Sequence, residues 1–463
     1  MHSLKELTLA GLLVGPAATT TLPLRRRSTN ATASMLSTAY GTVFDVEAQI
    51  GGQTFQLLVD SGSSDTYVMK TGFRCFGKAD GLELQQEECL YDVDSTYTVS
   101  DTYEEIPNQM FGIQYGAGIA SGVMAYEQVT LAGVTVPRQR VAIADKSTPM
   151  GDGINSGLLG LGYPSITSAH PANVTDNTTY FYNRIPYKPL LYTMYDDGLI
   201  AEPYFAHAIA RNPMNESSGF GGYLSLGELP PVQHSNDWAI APVEIIDEVP
   251  LNFTSGRRTR SYWALTIPSA SWGRNGSTHA PFQAFFDTGN PLSYIPGRIA
   301  IPFNELFSPA PVYSDDLGAY IVDCNAKPPS SLLFEIDGQK FEHDPADFIY
   351  QTGEDLCIST IGVAEWVGFA GLQINIIGVP FLKNVLGVFD FGRDEMRFAK
   401  LLGEVTGEIP DDTDGSEASE EGTGAGSDES EDEYVPGNGA ARPAPGAIAW
   451  AAVLGLLGYF FTI

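Results

Sequence analysis

From Tyr40 onward the apolar residues come in short alternating runs broken by glycine, proline and polar clusters, a spacing that predicts strands. VFDVEAQIGG (43–52) and FQLLVDSG (55–62) flank a Gly-Gly turn and predict a β-hairpin. The plan of apolar strand, Asp-Ser/Thr-Gly and apolar strand occurs twice, as LLVDSGSSDTYV (57–68) and AFFDTGNPLSYIP (284–296). Each copy has a later echo, GLLGLGYP (157–164) and INIIGVPF (374–381), so the pattern predicts a duplicated, mostly β body with two lobes. The pattern fades at Leu401. Residues 404–436 hold almost nothing to bury and predict an acidic disordered stalk, with a regulatory partner site as the alternative.

The two ends carry different apolar runs. Lys5 precedes Leu7–Val14, and Gly15, Ala17 and Ala18 follow, the order of a secretory signal spanning about residues 1–18. Arg25, Arg26 and Arg27 lie in a Ser/Thr-rich stretch open to processing, so residues 19–39 are assigned to a short propeptide or N-terminal segment. Gly446–Ile463 is an uncharged apolar run with no Lys or Arg after it, which favours a removed glycosylphosphatidylinositol (GPI) signal at 441–463 over a spanning helix. The expected location is the extracellular side of the plasma membrane or the cell wall, held by that lipid.

Composition sharpens this picture. The formal charge is −31, and 13 of the 56 acidic residues lie between Glu404 and Glu433, leaving 43 against 25 basic residues elsewhere. Nucleic acid is therefore disfavoured as a partner. Six sequons, at Asn30, Asn173, Asn177, Asn215, Asn252 and Asn275, fit a secreted glycoprotein. Cys75, Cys89, Cys324 and Cys357 contain no CxxC pair and fall into two distant couples, reading as two local disulfides or, less well, a four-cysteine zinc site.

One Asp-Ser/Thr-Gly is an ordinary turn; two in matching frames bring two carboxylates, Asp60 and Asp287, onto a pseudo-twofold axis. Two carboxyls at hydrogen-bond distance cannot both ionise cheaply, so they share a proton. One then acts as base toward a water and the other as acid toward a peptide carbonyl, without a cofactor or metal.

On these motifs the chain, over about residues 40–402, resembles the pepsin family of aspartic peptidases, in a form similar to the fungal GPI-anchored yapsins. The resemblance implies a bilobal, mostly β acid-protease fold with lobes at about 40–235 and 236–402 and the cleft between them. It implies Asp60 and Asp287 as the catalytic pair, Ser61 and Thr288 as hydroxyls locking the two loops, and Ser63 as the hydroxyl on the first carboxylate. IQYGAGIASG (113–122) resembles the flap, with Tyr115 closing over substrate and Gly116 and Gly118 at its tip. Cys324–Cys357 matches the second-lobe disulfide, and Cys75–Cys89 closes an enlarged version of a first-lobe loop. SYWALTIPSASW (261–272) resembles the strand entering the second lobe.

Three departures stand out. Asn290 replaces the usual hydroxyl after the second motif, although an amide can still donate to Asp287. Tyr67 replaces the tryptophan that partners the flap tyrosine, and Ala117 and Ile119 replace hydroxyl residues at the flap tip. The rival reading is a catalytically inactive pepsin-fold binding or inhibitor protein; a structural wall glycoprotein leaves the repeated Asp frame unexplained. The expected partners are polypeptide substrates, cut by a monomer, with a yapsin-like taste for Lys or Arg suggested by the acidic surface.

Overall fold

The computed structural model describes residues 31–174, 180–213, 216–352, 356–367, 372 and 374–408. The signal, the tribasic stretch, most of the stalk, the anchor signal and Asn30, Asn177 and Asn215 lie outside the described residues. Asn173, Asn252 and Asn275 are exposed.

Duplication is visible in strand order. In the first lobe, Val43–Ile50 pairs antiparallel with Gln53–Asp60, which runs parallel to Gly157–Gly160. Gly157–Gly160 is antiparallel to Thr66–Phe76, itself parallel to Val134–Ser147. The second lobe repeats the sequence of neighbours and directions: Ala264–Ile267, Phe282–Phe286, Asn375–Ile377, Ser293–Ile295 and Ile361–Val363. The two echo motifs are thus the third strand of each set, wedged between the two strands that flank an aspartate turn. The first hairpin turns at Gly51 and Gly52, with φ of 60° and 75°, a pair of conformations that side chains with a β-carbon resist.

A six-strand layer joins the lobes, in the order Thr32–Thr38, Gly219–Leu226, Tyr204–Ile209, Val385–Asp390, Glu395–Leu401 and His234–Pro242, all antiparallel. Its first strand lies within residues 19–39, the stretch assigned to a short propeptide or N-terminal segment. Thr32–Thr38 is part of the body: Met35 is buried, and Thr32 Oγ1 meets Ser225 Oγ at 2.7 Å. Its partner strand is remote in sequence, so no local pattern marks it.

Trp263, fully buried, donates Nε1–H to Leu161 O at 3.0 Å and stands among Tyr163, Phe205 and Phe389 at ring separations of 4.7–5.7 Å. This aromatic knot draws residues of both lobes together and gives the cleft two fixed walls. Both disulfides form, Cys75–Cys89 and Cys324–Cys357.

The joining layer also contains a titratable group with no evident use. His207 is buried with neither ring nitrogen hydrogen-bonded among the described residues, and burial pushes its pKa down to about 3. An unfolded histidine titrates near 6.5, so stability is lost as pH falls through the interval between the two values. His207→Leu is expected to gain about 3 kcal/mol at pH ~4 beyond whatever it gains at pH ~7. Urea unfolding at both pH values measures the difference; equal gains would show that His207 does not titrate on unfolding.

Candidate active site

Each aspartate sits where a strand of one repeat ends. Asp60 closes Gln53–Asp60, its carbonyl accepting from Leu161 N at 2.8 Å; Asp287 follows Phe282–Phe286, its amide donating to Ile377 O at 2.9 Å. The echo strands therefore hold both loops by their backbones before any side chain acts.

Four hydrogen bonds then tie the loops crosswise. Thr288 Oγ1 donates to Val59 O at 2.7 Å and accepts from Ser61 N at 2.9 Å. Ser61 Oγ donates to Phe286 O at 3.0 Å and accepts from Thr288 N at 2.9 Å. Ser61 and Thr288 are buried, so these bonds exchange no partners with water. In each loop a glycine amide turns onto its own aspartate: Gly62 N to Asp60 Oδ1 at 2.8 Å, Gly289 N to Asp287 Oδ1 at 2.9 Å.

Why glycine follows the hydroxyl residue is steric. A β-carbon on Gly62 would stand 2.5 Å from Asp287 Oδ2, and one on Gly289 would stand 2.8 Å from Asp60 Oδ1. Each carboxylate faces the bare backbone of the opposite loop, and only a residue without a side chain lets them approach.

The two carboxyls lie close together, each against the glycine of the opposite loop, and each shifts the ionisation of the other. Burial raises the pKa of Asp60, but Ser63 Oγ donates to Asp60 Oδ2 at 2.5 Å and Gly62 N donates to Oδ1, favouring its ionised form. Burial, then the charge of Asp60 and the bond to it, push Asp287 well above the usual carboxylate range. The environments differ in one direction: Asp60 is the better anion and Asp287 holds the shared proton.

Among the described residues no hydrogen bond from the Asn290 side chain to Asp287 is formed. Asn290 Oδ1 accepts from Leu292 N at 3.1 Å, an Asx turn that shapes its own loop. Among the described residues Asp287 has no hydroxyl donor matching Ser63, which adds to the asymmetry.

The flap is the hairpin of Glu104–Gln114 and Ile119–Leu131, closed by Tyr115 N donating to Gly118 O at 2.7 Å. Tyr115, Gly116 and Ala117 line the cleft over the aspartates, and the Tyr115 hydroxyl lies toward Ser63. Tyr67 turns to another phenol, its hydroxyl 3.5 Å from that of Tyr91. The cleft is otherwise walled by Leu58, Leu158, Met150, Tyr262, Phe285 and Ile376. Among the described residues lining it, the only acidic side chains are Asp60 and Asp287.

Two contributors escaped the sequence reading. Asp65 looks like one more polar turn residue, yet it is buried and accepts from Tyr187 OH at 2.6 Å and Ser168 N at 2.9 Å, bracing the first loop from behind. Tyr91 is far from either Asp motif; its one signal is that it closely follows Cys89, where a disulfide fixes the chain.

A family model described as Eukaryotic aspartyl protease matches residues 44–401. A curated protein of Aspergillus fumigatus named "Probable aspartic-type endopeptidase" is 36% identical over 392 residues, covering 82% of this chain and 84% of its own length. Rhizopuspepsin of Rhizopus chinensis is 24% identical over 370 residues, covering 79% and 80%. The crystal structure of an aspartic proteinase from Irpex lacteus shares the fold with a TM-score of 0.61 at 20% identity, across 80% of this chain and 97% of that one. With two Asp-Ser/Thr-Gly loops locked crosswise beneath a flap, and with the family matched from Phe44 to Leu401, the chain belongs to the eukaryotic aspartyl proteases and is an aspartic-type endopeptidase.

Proposed function

We propose that the protein cuts polypeptides in acid, with Asp60 and Asp287 as its catalytic pair, at the cell surface. The observation that carries the catalytic assignment is the pair of unequal carboxyls brought together in the cleft by the crosswise-locked loops. Asp60, ionised, takes a proton from a water whose oxygen bonds to the peptide carbon, while Asp287 gives its proton to the carbonyl oxygen. The resulting gem-diol then collapses: Asp60 passes its proton to the amide nitrogen, the C–N bond breaks, and a diol hydroxyl returns a proton to Asp287. Both residues end as they began.

Activity needs one proton on the pair. It falls in strong acid as Asp60 protonates, and at higher pH as Asp287 ionises, giving a bell-shaped profile on the acid side. The apolar and phenolic lining favours bulky apolar side chains beside the scissile bond. The suggested preference for Lys or Arg has no acidic side chain in the described lining to carry it.

Surface location rests on the signal-like N-terminus, the sequons and the apolar C-terminal run. One experiment addresses both parts. Intact cells expressing the full chain are treated with phosphatidylinositol-specific phospholipase C, and the released protein is incubated with a peptide library across roughly pH 3 to 7. Release, an acid optimum and cuts between large apolar residues are expected. Protein that stays with the cells refutes the lipid anchor, and released, folded protein that cuts nothing returns the chain to a binding role.

A further inference from the structure

Tyr91 is a residue that neither the dyad nor the flap accounts for, and it forms part of the wall of the cleft. Its ring is 5% exposed and packs edge-on against Phe73, with centroids 5.8 Å apart at 88°. Its hydroxyl faces that of Tyr67 at 3.5 Å and accepts from Ser147 Oγ at 3.3 Å. Two phenols thus meet end to end and close the first-lobe side of the cleft.

The backbone on either side of Tyr91 is stitched to a second stretch of the same wall. Met150 N and Gly151 N donate to Cys89 O at 3.2 and 3.0 Å, Gly153 N donates to Leu90 O at 2.6 Å, and Asp92 N donates to Asn155 O at 2.9 Å. Met150 and Asn155 line the cleft beside Tyr91. Cys89 is itself bonded to Cys75, on the long strand that also carries Tyr67. The disulfide-closed excursion, Tyr91 and residues 150–155 therefore form one rigid unit in a lining that also holds Leu58, Leu158 and the flap tip.

We propose that Tyr91 is the specificity-determining residue of this pocket, limiting the substrate side chain it receives to about the size of leucine or methionine, and that the Cys75–Cys89 excursion serves to hold it there. The inference rests on the peptidase reading above. Its chemistry is exclusion: the chain before Tyr91 is fixed by a covalent bond and the chain after it by backbone bonds, so the ring cannot step aside for indole or phenyl groups as a side chain on a free loop would.

The test uses the full-length protein and peptides that differ at one residue, Leu, Met, Phe or Trp, placed in turn on each side of the scissile bond. Wild type is expected to prefer Leu or Met on one side. Tyr91→Ala should raise the Trp-to-Leu ratio of kcat/KM there by roughly tenfold or more, and Tyr91→Phe, which keeps the ring, should leave it unchanged. A Cys75→Ser, Cys89→Ser double variant should relax the ratio in the same direction. Should Tyr91→Ala not fold, Tyr91→Leu carries the test with a smaller shift of the same sign. Ratios that stay at the wild-type value while every kcat/KM falls together would overturn the proposal and leave Tyr91 a packing residue. A wild type that cuts none of the peptides overturns the peptidase reading, and this inference with it.

Discussion

Asp60→Asn and Asp287→Asn are each expected to lower kcat by about 10⁴-fold or more while the protein stays folded, because the two groups act as a unit. The amide keeps the shape of the carboxyl and loses its proton chemistry. At position 60 the substitution also sets a donor against donors, since Gly62 N and Ser63 Oγ already point at separate oxygens of Asp60. At position 287 it removes the proton that polarises the carbonyl.

The Asp287 variant has a second expected readout that does not involve substrate. The folded pKa of Asp287 is raised well above its unfolded value, so the folded state holds a proton that the unfolded chain has released. The stability this proton confers is fully present below the unfolded value and is lost as pH rises through the folded one. Asparagine does not titrate, so the melting temperature of Asp287→Asn should gain on wild type steadily from acid to neutral pH. Loss of activity with parallel melting profiles would place the shared proton elsewhere.

Much of this centre was legible in the sequence because the fold is duplicated. A single aspartate turn has many causes, whereas the same frame at Asp60 and Asp287, each with an apolar echo downstream, has few. The hairpin at Gly51–Gly52 and both disulfides followed from equally local signals, and the flap turn from the family resemblance those motifs supported. What escaped depends on contacts between distant segments. Thr32–Thr38 is a strand because Gly219–Leu226 lies beside it. Asp65 matters because Tyr187 and Ser168 arrive to bond it. Asn290 was read as a donor to Asp287, but the side-chain bond it makes is local, its oxygen accepting from the backbone amide two residues on. Charge misled differently: the acidic residues that set the net charge are not those that line the cleft, so overall charge was a poor guide to the pocket.

Burial of titratable groups pulls stability in opposite directions. The raised carboxyls Asp45, Asp60, Asp65 and Asp287 favour the folded state in acid, while His207 and His343, held neutral by burial, disfavour it there.

The crosswise lock makes the other large prediction. Thr288→Ala removes one hydroxyl and leaves two buried backbone groups, Ser61 N and Val59 O, without their partner. Each orphan costs about 1–3 kcal/mol, so a loss of about 2–6 kcal/mol is expected, with kcat falling because the carboxyls are no longer held in register. Thr288→Ser keeps the oxygen and should recover most of both. Ser61→Ala orphans Thr288 N and Phe286 O and should cost a similar amount. The four bonds form one closed set, so the double variant should lose less than the sum of the singles. Urea unfolding of the three variants measures this directly. Strict additivity would mean that the two hydroxyls brace their loops independently, and the account of a single lock spanning both lobes would fail.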